Sequence, residues 1–310
     1  MKKQPKRDFI SIGDHSPAEI SRILSLAHQL KKSPAKHSGL LKGRSMALIF
    51  QKPSNRTRVS FETGIFQLGG NAIYLAPDDI SLGKREPTAD IARTLARYVG
   101  GIVARVFAHK DLLELAKFAA VPVINALSDL SHPCQALADI FTVQEKFGRL
   151  KGLKMAYIGD GNNMTNSLML ACAKVGMHIA VATPKGYGPS AQYVRMAQDA
   201  AQATGAKIEL MHDPFKAVSG ANVLYTDTWV SMGQEKEAAR RSKDFAGYQI
   251  TAKLAAEADK GHIFMHCLPA HRGQEVSGEV IDGAHSVVFE EAENRLHVQK
   301  AVLVFLFDHK

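Results

Sequence analysis

Met46-Ala-Leu-Ile-Phe50 runs through Gln51 into Lys52-Pro-Ser-Asn-Arg-Thr-Arg-Val-Ser-Phe-Glu62. Five consecutive apolar residues bounded by turn formers read as a buried strand. Pro53 forces a turn, and Ser54 or Asn55 can cap a helix that starts near Arg56. The first N–H groups of such a helix lack partners and carry the positive end of its dipole, so an oxyanion binds there. Arg56 and Arg58 add fork-shaped donors matched to phosphate oxygens, and Ser54 and Thr57 add neutral ones. The competing reading is an ordinary helix start with solvated arginines. The Gly-x-x-x-x-Gly-Lys-Ser/Thr frame is missing, so this is not a nucleoside triphosphate loop.

The strand-turn-helix unit repeats outward from this point. Apolar runs at 46–50, 72–75, 102–106 and 121–124 precede helical patterns at 56–68, 88–98, 111–119 and 133–147. Such alternation predicts parallel strands covered on both faces. Helix 133–147 ends at Gly148, and a second series begins, with strands near 155–158, 178–182, 207–211, 222–226 and 262–266. Helices near 163–175, 190–204 and 251–258 lie between most of them. The expected fold is α/β: two doubly wound domains, each with a central parallel sheet flanked by helices, joined by long helices. We place the domains at 1–147 and 148–290, with the terminal helix, 291–310, packing back on the first. The irregular segment 227–247 reads as a long mobile loop.

The chain has 310 residues, 45% of them hydrophobic and 22% charged, as in ordinary globular proteins. Its net charge of +9 points to an anionic partner. Basic residues beyond the first few are scattered, without the aromatic interleaving that grips nucleic acid. No apolar run is long enough for a signal peptide core or a membrane span, so a cytoplasmic protein is expected. Cys134, Cys172 and Cys267 are odd in number and widely spaced, which argues against a disulfide frame or a cysteine zinc site.

Four further stretches carry possible chemistry. In Ser131-His-Pro-Cys-Gln-Ala-Leu-Ala-Asp139, Pro133 suits the first helical turn, and His132, Gln135 and Asp139 share a helix face. A histidine at a helix N-terminus is held neutral and can polarise a carbonyl, while Gln135 can accept from an NH₂ group. A capped helix with a core histidine is the alternative. Gly159-Asp-Gly-Asn-Asn-Met-Thr-Asn-Ser invites a dinucleotide reading but lacks the third glycine and the ribose-binding acid. Its Asn162, Asn163 and Asn166 could grip a carboxylate or an amine, or merely cap a helix. Asp227-Thr-Trp-Val-Ser-Met-Gly233 follows a strand, where Asp227 could pair with an ammonium group or simply form a turn. In His266-Cys-Leu-Pro-Ala-His-Arg-Gly273, Pro269 permits a cis peptide that turns the Leu268 carbonyl inward. Neighbouring His266 and Cys267 should point to opposite sides of a strand, which speaks against zinc, and an inert buried thiol is the plainer reading. All these stretches lie at strand ends, and we expect them to share a cleft.

Together, Ser54-Asn-Arg-Thr-Arg58, His132-Pro-Cys-Gln135, Asp227-x-Trp-Val-Ser-Met-Gly233 and His266-Cys-Leu-Pro269 resemble the ordered motifs of the aspartate/ornithine carbamoyltransferase family, and of its ornithine branch in particular. The resemblance implies carbamoyl transfer from carbamoyl phosphate to the side-chain amine of L-ornithine, giving L-citrulline and phosphate. It implies that Ser54, Asn55, Arg56, Thr57, Ser81 and Arg105 hold the phosphate end. His132, Thr57 and Arg295 would bind the carbonyl oxygen, and Gln135 with the Leu268 carbonyl the NH₂. Asn166, Asp227, Ser231 and Met232 would bind the amino-acid end of ornithine, with Cys267 near its side-chain amine and at the carbamoyl group. Arg56, Arg105, His132, Gln135, Cys267 and Arg295 are the implied catalytic set. No metal or organic cofactor is implied, and the assembly would be a homotrimer or a multiple of it. Asn55 stands where a threonine is usual. Ser81 stands where ornithine enzymes often have glutamine, a spelling closer to aspartate enzymes. Aspartate, putrescine or an acylated ornithine are the alternative acceptors. A dinucleotide-dependent oxidoreductase and a basic nucleic-acid-binding protein are the alternatives of another class.

Overall fold

The computed structural model describes residues 6–83, 85–231 and 233–308. It divides into two compact units, one holding the chain up to Leu137 together with everything from Arg295 onward, the other Ala138–Asn294. Both divisions fall inside helices, so two helices run from one unit into the other.

In chain order the first unit holds α1 (Pro17–Lys32), β1 (Ser45–Phe50), α2 (Asn55–Gln67), β2 (Asn71–Leu75), α3 (Pro77–Ile80), α4 (Thr88–Tyr98), β3 (Gly101–Arg105), α5 (His109–Phe118) and β4 (Val123–Leu127). The sheet order is β2-β1-β3-β4, with every neighbouring pair parallel. β1, β3 and β4 are buried almost throughout, which is why they read as unbroken apolar runs; edge strand β2 is only partly covered. Ile49, Ala104 and Val123 from the strands pack with Ile91, Leu112 and Leu115 from the helices. The N-terminal segment adds a short parallel pairing, with Phe9 N–H donating to the Val123 carbonyl at 2.8 Å. Ser16 and Glu19 cap α1 reciprocally.

α6 (Pro133–Phe147) leads into the second unit: β5 (Lys154–Ile158), α7 (Asn163–Val175), β6 (His178–Ala182), α8 (Ala191–Gln202), β7 (Ile208–Met211), α9 (Pro214–Val218) and β8 (Val223–Tyr225). After these come α10 (Ala238–Asp244), α11 (Ala252–Ala255), β9 (Ile263–Met265), α12 (Gly278–Ile281) and α13 (Val288–Phe307), which returns the chain to the first unit. This sheet is also wholly parallel, in the order β7-β6-β5-β8-β9. Ile158, Leu224 and Phe264 form its core with Leu254 and Val280. In both units the strand order reverses beside the first strand of the series, which places loop ends where open α/β sheets bind ligands.

Segment 227–247, read from sequence as a long mobile loop, holds regular structure. It contains a 3-10 turn, Glu235–Glu237, followed by α10. Arg241 anchors it: the guanidinium is buried, pairs with Asp160 at 2.9 Å and Glu237 at 3.0 Å, and donates to the Trp229 carbonyl. Burial pushes the Asp160 carboxyl up to about 6, against the pull of Arg241. α13 starts three residues before the expected position. Among the described residues no helix is long and apolar enough to cross a membrane.

Candidate active site

In the first unit two of the predicted residues, Thr57 and Gln135, meet at Arg295. Its guanidinium, 3% exposed, donates to Thr57 Oγ1 at 3.1 Å and to Gln135 Oε1. α2, α6 and α13 therefore meet at one charge. Thr57 lies in the first turn of α2, directly after β1, and Arg105 ends β3 beside Phe50 of β1. His132 precedes α6 in a turn fixed by Asn125, whose amide donates to Ser131 Oγ at 2.8 Å, and by Ser128, whose N–H donates to the Ser131 carbonyl. Burial, then the charges of Arg295 and Arg105, holds the His132 imidazole well below its ordinary pKa. A neutral imidazole flanked by two guanidiniums donates a hydrogen bond without surrendering a proton.

The first helix turn differs from expectation in two respects. Ser54 occupies the N-cap of α2, but its hydroxyl makes no capping bond. Arg58 pairs with Glu62 at 2.8 Å and lies over the Tyr74 ring at 3.8 Å. Arg56 and Asn55 remain on the turn, half-buried and exposed respectively. Ser81 terminates α3 in the left-handed region, φ 41°, with its hydroxyl toward the Pro77 carbonyl.

His132 yields a pH prediction. The unfolded chain takes up a proton at this residue as pH falls through 6.5, whereas the folded chain resists it. Stability is therefore complete above 6.5 and declines on acidification. Relative to His132→Asn, the wild type should lose about 1.4 kcal/mol in all between pH 7 and 5.5. Denaturant melts of both proteins at pH 7 and 5.5 measure this, and parallel losses would contradict the assignment.

In the second unit Asp227 is the centre. The carboxylate is 7% exposed; Oδ2 accepts from Asn162 Nδ2 at 2.9 Å, and Oδ1 from the Thr228 N–H at 2.8 Å. The Cys267 thiol donates to Oδ1 across 3.2 Å. Burial, then the Asp227 charge, pushes that thiol well above its ordinary range, so it stays protonated. Asn162 uses its carbonyl to cap α7, accepting from Met164 N–H at 2.9 Å, and its NH₂ on Asp227. It is thus committed to orienting the carboxylate, a role that spacing did not disclose. Ser231 Oγ lies 3.5 Å from the same NH₂. Asn166 Oδ1 accepts from Ser190 N–H at 3.1 Å, which fixes its amide in α7. Met232 lies outside the described residues.

The Gly-x-Gly turn serves packing. A side chain at Gly161 would stand 2.2 Å from the Gly188 carbonyl carbon, and the Gly161 N–H already donates to the Tyr187 carbonyl. The Leu268–Pro269 bond is cis, as the sequence allowed. Asp227, His266 and Cys267 offer ligand atoms within 4.8 Å of one another, closer than opposite strand faces suggested. Both ring nitrogens of His266 are, however, engaged by Leu268 and Glu275. Cys134 is a buried thiol pushed up to about 12 by its burial, and Cys172 is buried too.

The first sheet thus ends at buried guanidiniums around a neutral imidazole, and the second at a buried carboxylate held by hydrogen-bond donors. The family model for the aspartate/ornithine carbamoyltransferase carbamoyl-P binding domain matches residues 7–145, and that for the Asp/Orn binding domain matches 151–306. The chain belongs to the aspartate/ornithine carbamoyltransferase family. Within it, similar proteins include ornithine carbamoyltransferases: one from Thermococcus kodakarensis is 53% identical over 97% of this chain and 96% of its own. The ornithine carbamoyltransferase structure from Pyrococcus furiosus superposes with a TM-score of 0.95 at 51% identity, covering 98% of each chain. An anabolic ornithine carbamoyltransferase from Campylobacter jejuni gives 0.93 at 43% identity, over 98% of this chain and all of that one.

Proposed function

We propose that the protein transfers the carbamoyl group of carbamoyl phosphate to the side-chain amine of L-ornithine, releasing L-citrulline and phosphate. The observation that carries this acceptor is Asp227, a buried carboxylate held by Asn162 and Thr228 and paired with a protonated thiol. It attracts an amine and repels the second carboxylate that aspartate would bring.

Phosphate binds at the start of α2, through Ser54, Asn55, Arg56 and Thr57, and to Arg105, with Ser81 supplying a further hydroxyl. His132, Thr57 and Arg295 donate to the carbamoyl oxygen, and Gln135 and the Leu268 carbonyl take the NH₂. Asn166, Asp227 and Ser231, with Met232, bind the amino-acid end of ornithine, and Cys267 lies near its side-chain amine. The neutral amine attacks the carbonyl carbon, the carbon–oxygen bond to phosphate breaks, and the amine proton leaves with phosphate or to solvent. Catalysis rests on positioning and on donors aimed at the developing oxyanion. We also assign a cytoplasmic homotrimer or multiple of trimers, which light scattering and cell fractionation test.

The decisive experiment is citrulline formation from carbamoyl phosphate across a panel of ornithine, aspartate, putrescine and acylated ornithine. Turnover with ornithine alone is expected; preference for another acceptor would overturn the reading.

A further inference from the structure

We propose that His266 and Glu275 are positioning residues for amine recognition: Glu275 sets the imidazole tautomer, and the imidazole holds the Leu268 N–H and with it the turn that carries Cys267. The inference rests on the reading of Asp227 and Cys267 as the amine-binding pair.

His266 follows β9 directly and is fully buried, as is Glu275. Its Nδ1 accepts the Leu268 N–H at 2.9 Å, and its Nε2 lies 3.2 Å from Glu275 Oε1. Accepting at Nδ1 requires a lone pair there, so the ring proton sits on Nε2 and is donated to the carboxylate. Glu275 Oε1 also accepts the His271 N–H at 2.6 Å. Burial opposes a charge on Glu275, but the bonds from His266 and from backbone N–H groups outweigh it and hold the carboxyl below its ordinary value. On the other side, the His266 N–H donates to Glu291 Oε2 at 2.9 Å.

The turn is therefore pinned before and after Cys267. Such pinning has a purpose, because Leu268 adopts φ 59°, a left-handed backbone that a leucine does not hold unaided. Released, Leu268 relaxes toward ordinary backbone angles and moves the Cys267 sulfur from its 3.2 Å contact with Asp227 Oδ1. None of these supporting groups belongs to the amine-binding pair itself; they act through the turn.

Two amide replacements separate the halves of the dyad. His266→Asn places a carbonyl where Nδ1 was and keeps the acceptor for Leu268. His266→Gln places its amide where Nε2 was and keeps only the Glu275 contact. We expect His266→Gln to lower kcat/KM for ornithine on the order of 30-fold, and His266→Asn by no more than about threefold. Inorganic phosphate affinity, a first-unit property, stays within about twofold in both and reports folding. Glu275→Gln lowers ornithine kcat/KM in the wild-type background but not in His266→Asn, where no tautomer remains to be set. Equal losses in the two His266 variants, or an unimpaired His266→Gln, would overturn the proposal. If the wild type prefers another acceptor, the ornithine reading fails, while the same contrast measured on that acceptor still decides the positioning role.

Discussion

Arg295→Ala lowers kcat/KM for carbamoyl phosphate on the order of a thousandfold, the scale expected when a guanidinium aimed at a developing oxyanion is lost. This residue joins three elements through Thr57 Oγ1 and Gln135 Oε1, and each charge-assisted bond is worth about 1.5–3 kcal/mol. These two bonds hold the guanidinium in place on α2 and α6, and the rate loss comes from the donor itself. The variant also leaves Thr57 and Gln135, both buried, without their shared donor. Arg295→Lys is the sharper test. It keeps the charge but not the fork that reaches α2 and α6 together, so it should recover less than about a tenth of the lost activity. Wild-type rates in Arg295→Lys would show that a point charge suffices. Losses below tenfold in Arg295→Ala would remove the residue from the catalytic set. Because Arg295 also helps to keep His132 neutral, its removal should ease protonation of that imidazole, although burial remains the larger cause.

Arg295 shows what spacing cannot disclose. It lies 160 residues from Gln135 and 238 from Thr57, so no local pattern links the three, and only the family resemblance pointed to it. The two sheets were legible because parallel strands buried on both faces leave contiguous apolar runs. α3, α9 and α12 were not, since four or five residues cannot display a helical period. α10 was hidden for a different reason. Its sequence, Ala-Ala-Arg-Arg-Ser-Lys-Asp, reads as a solvated charge run, yet Arg241 is the residue it buries, and Asp160, 81 positions earlier, makes that possible. Arg58 shows the opposite case. It sits on the first turn of α2 as expected, but its guanidinium pairs with Glu62 and lies over Tyr74. The supports of the second site, Asn162 on Asp227 and Glu275 on His266, follow the same logic: short-range chemistry between residues far apart in sequence.

Asp227→Asn is expected to abolish amine recognition almost as fully as Asp227→Ala, with kcat/KM for ornithine falling on the order of a thousandfold and phosphate affinity unchanged. The argument turns on who donates to whom. The carboxylate's hydrogen-bond partners among the described residues are donors: Asn162 Nδ2 at Oδ2, and the Thr228 N–H and the Cys267 thiol at Oδ1. An amide of the same shape must point its own NH₂ at one of these donors, so one contact becomes a donor–donor clash in a site that is only 7% exposed. It also removes the charge that attracts an ammonium group and orients the amine. Cys267→Ser, by contrast, keeps a donor to Oδ1 and should cost no more than about tenfold. The ranking of the three variants, measured as ornithine kcat/KM beside phosphate binding, separates charge from shape. If Asp227→Asn retained ornithine turnover while Asp227→Ala lost it, hydrogen bonding alone would govern the acceptor, and the carboxylate's selection of an amine over an acidic side chain would fall with it.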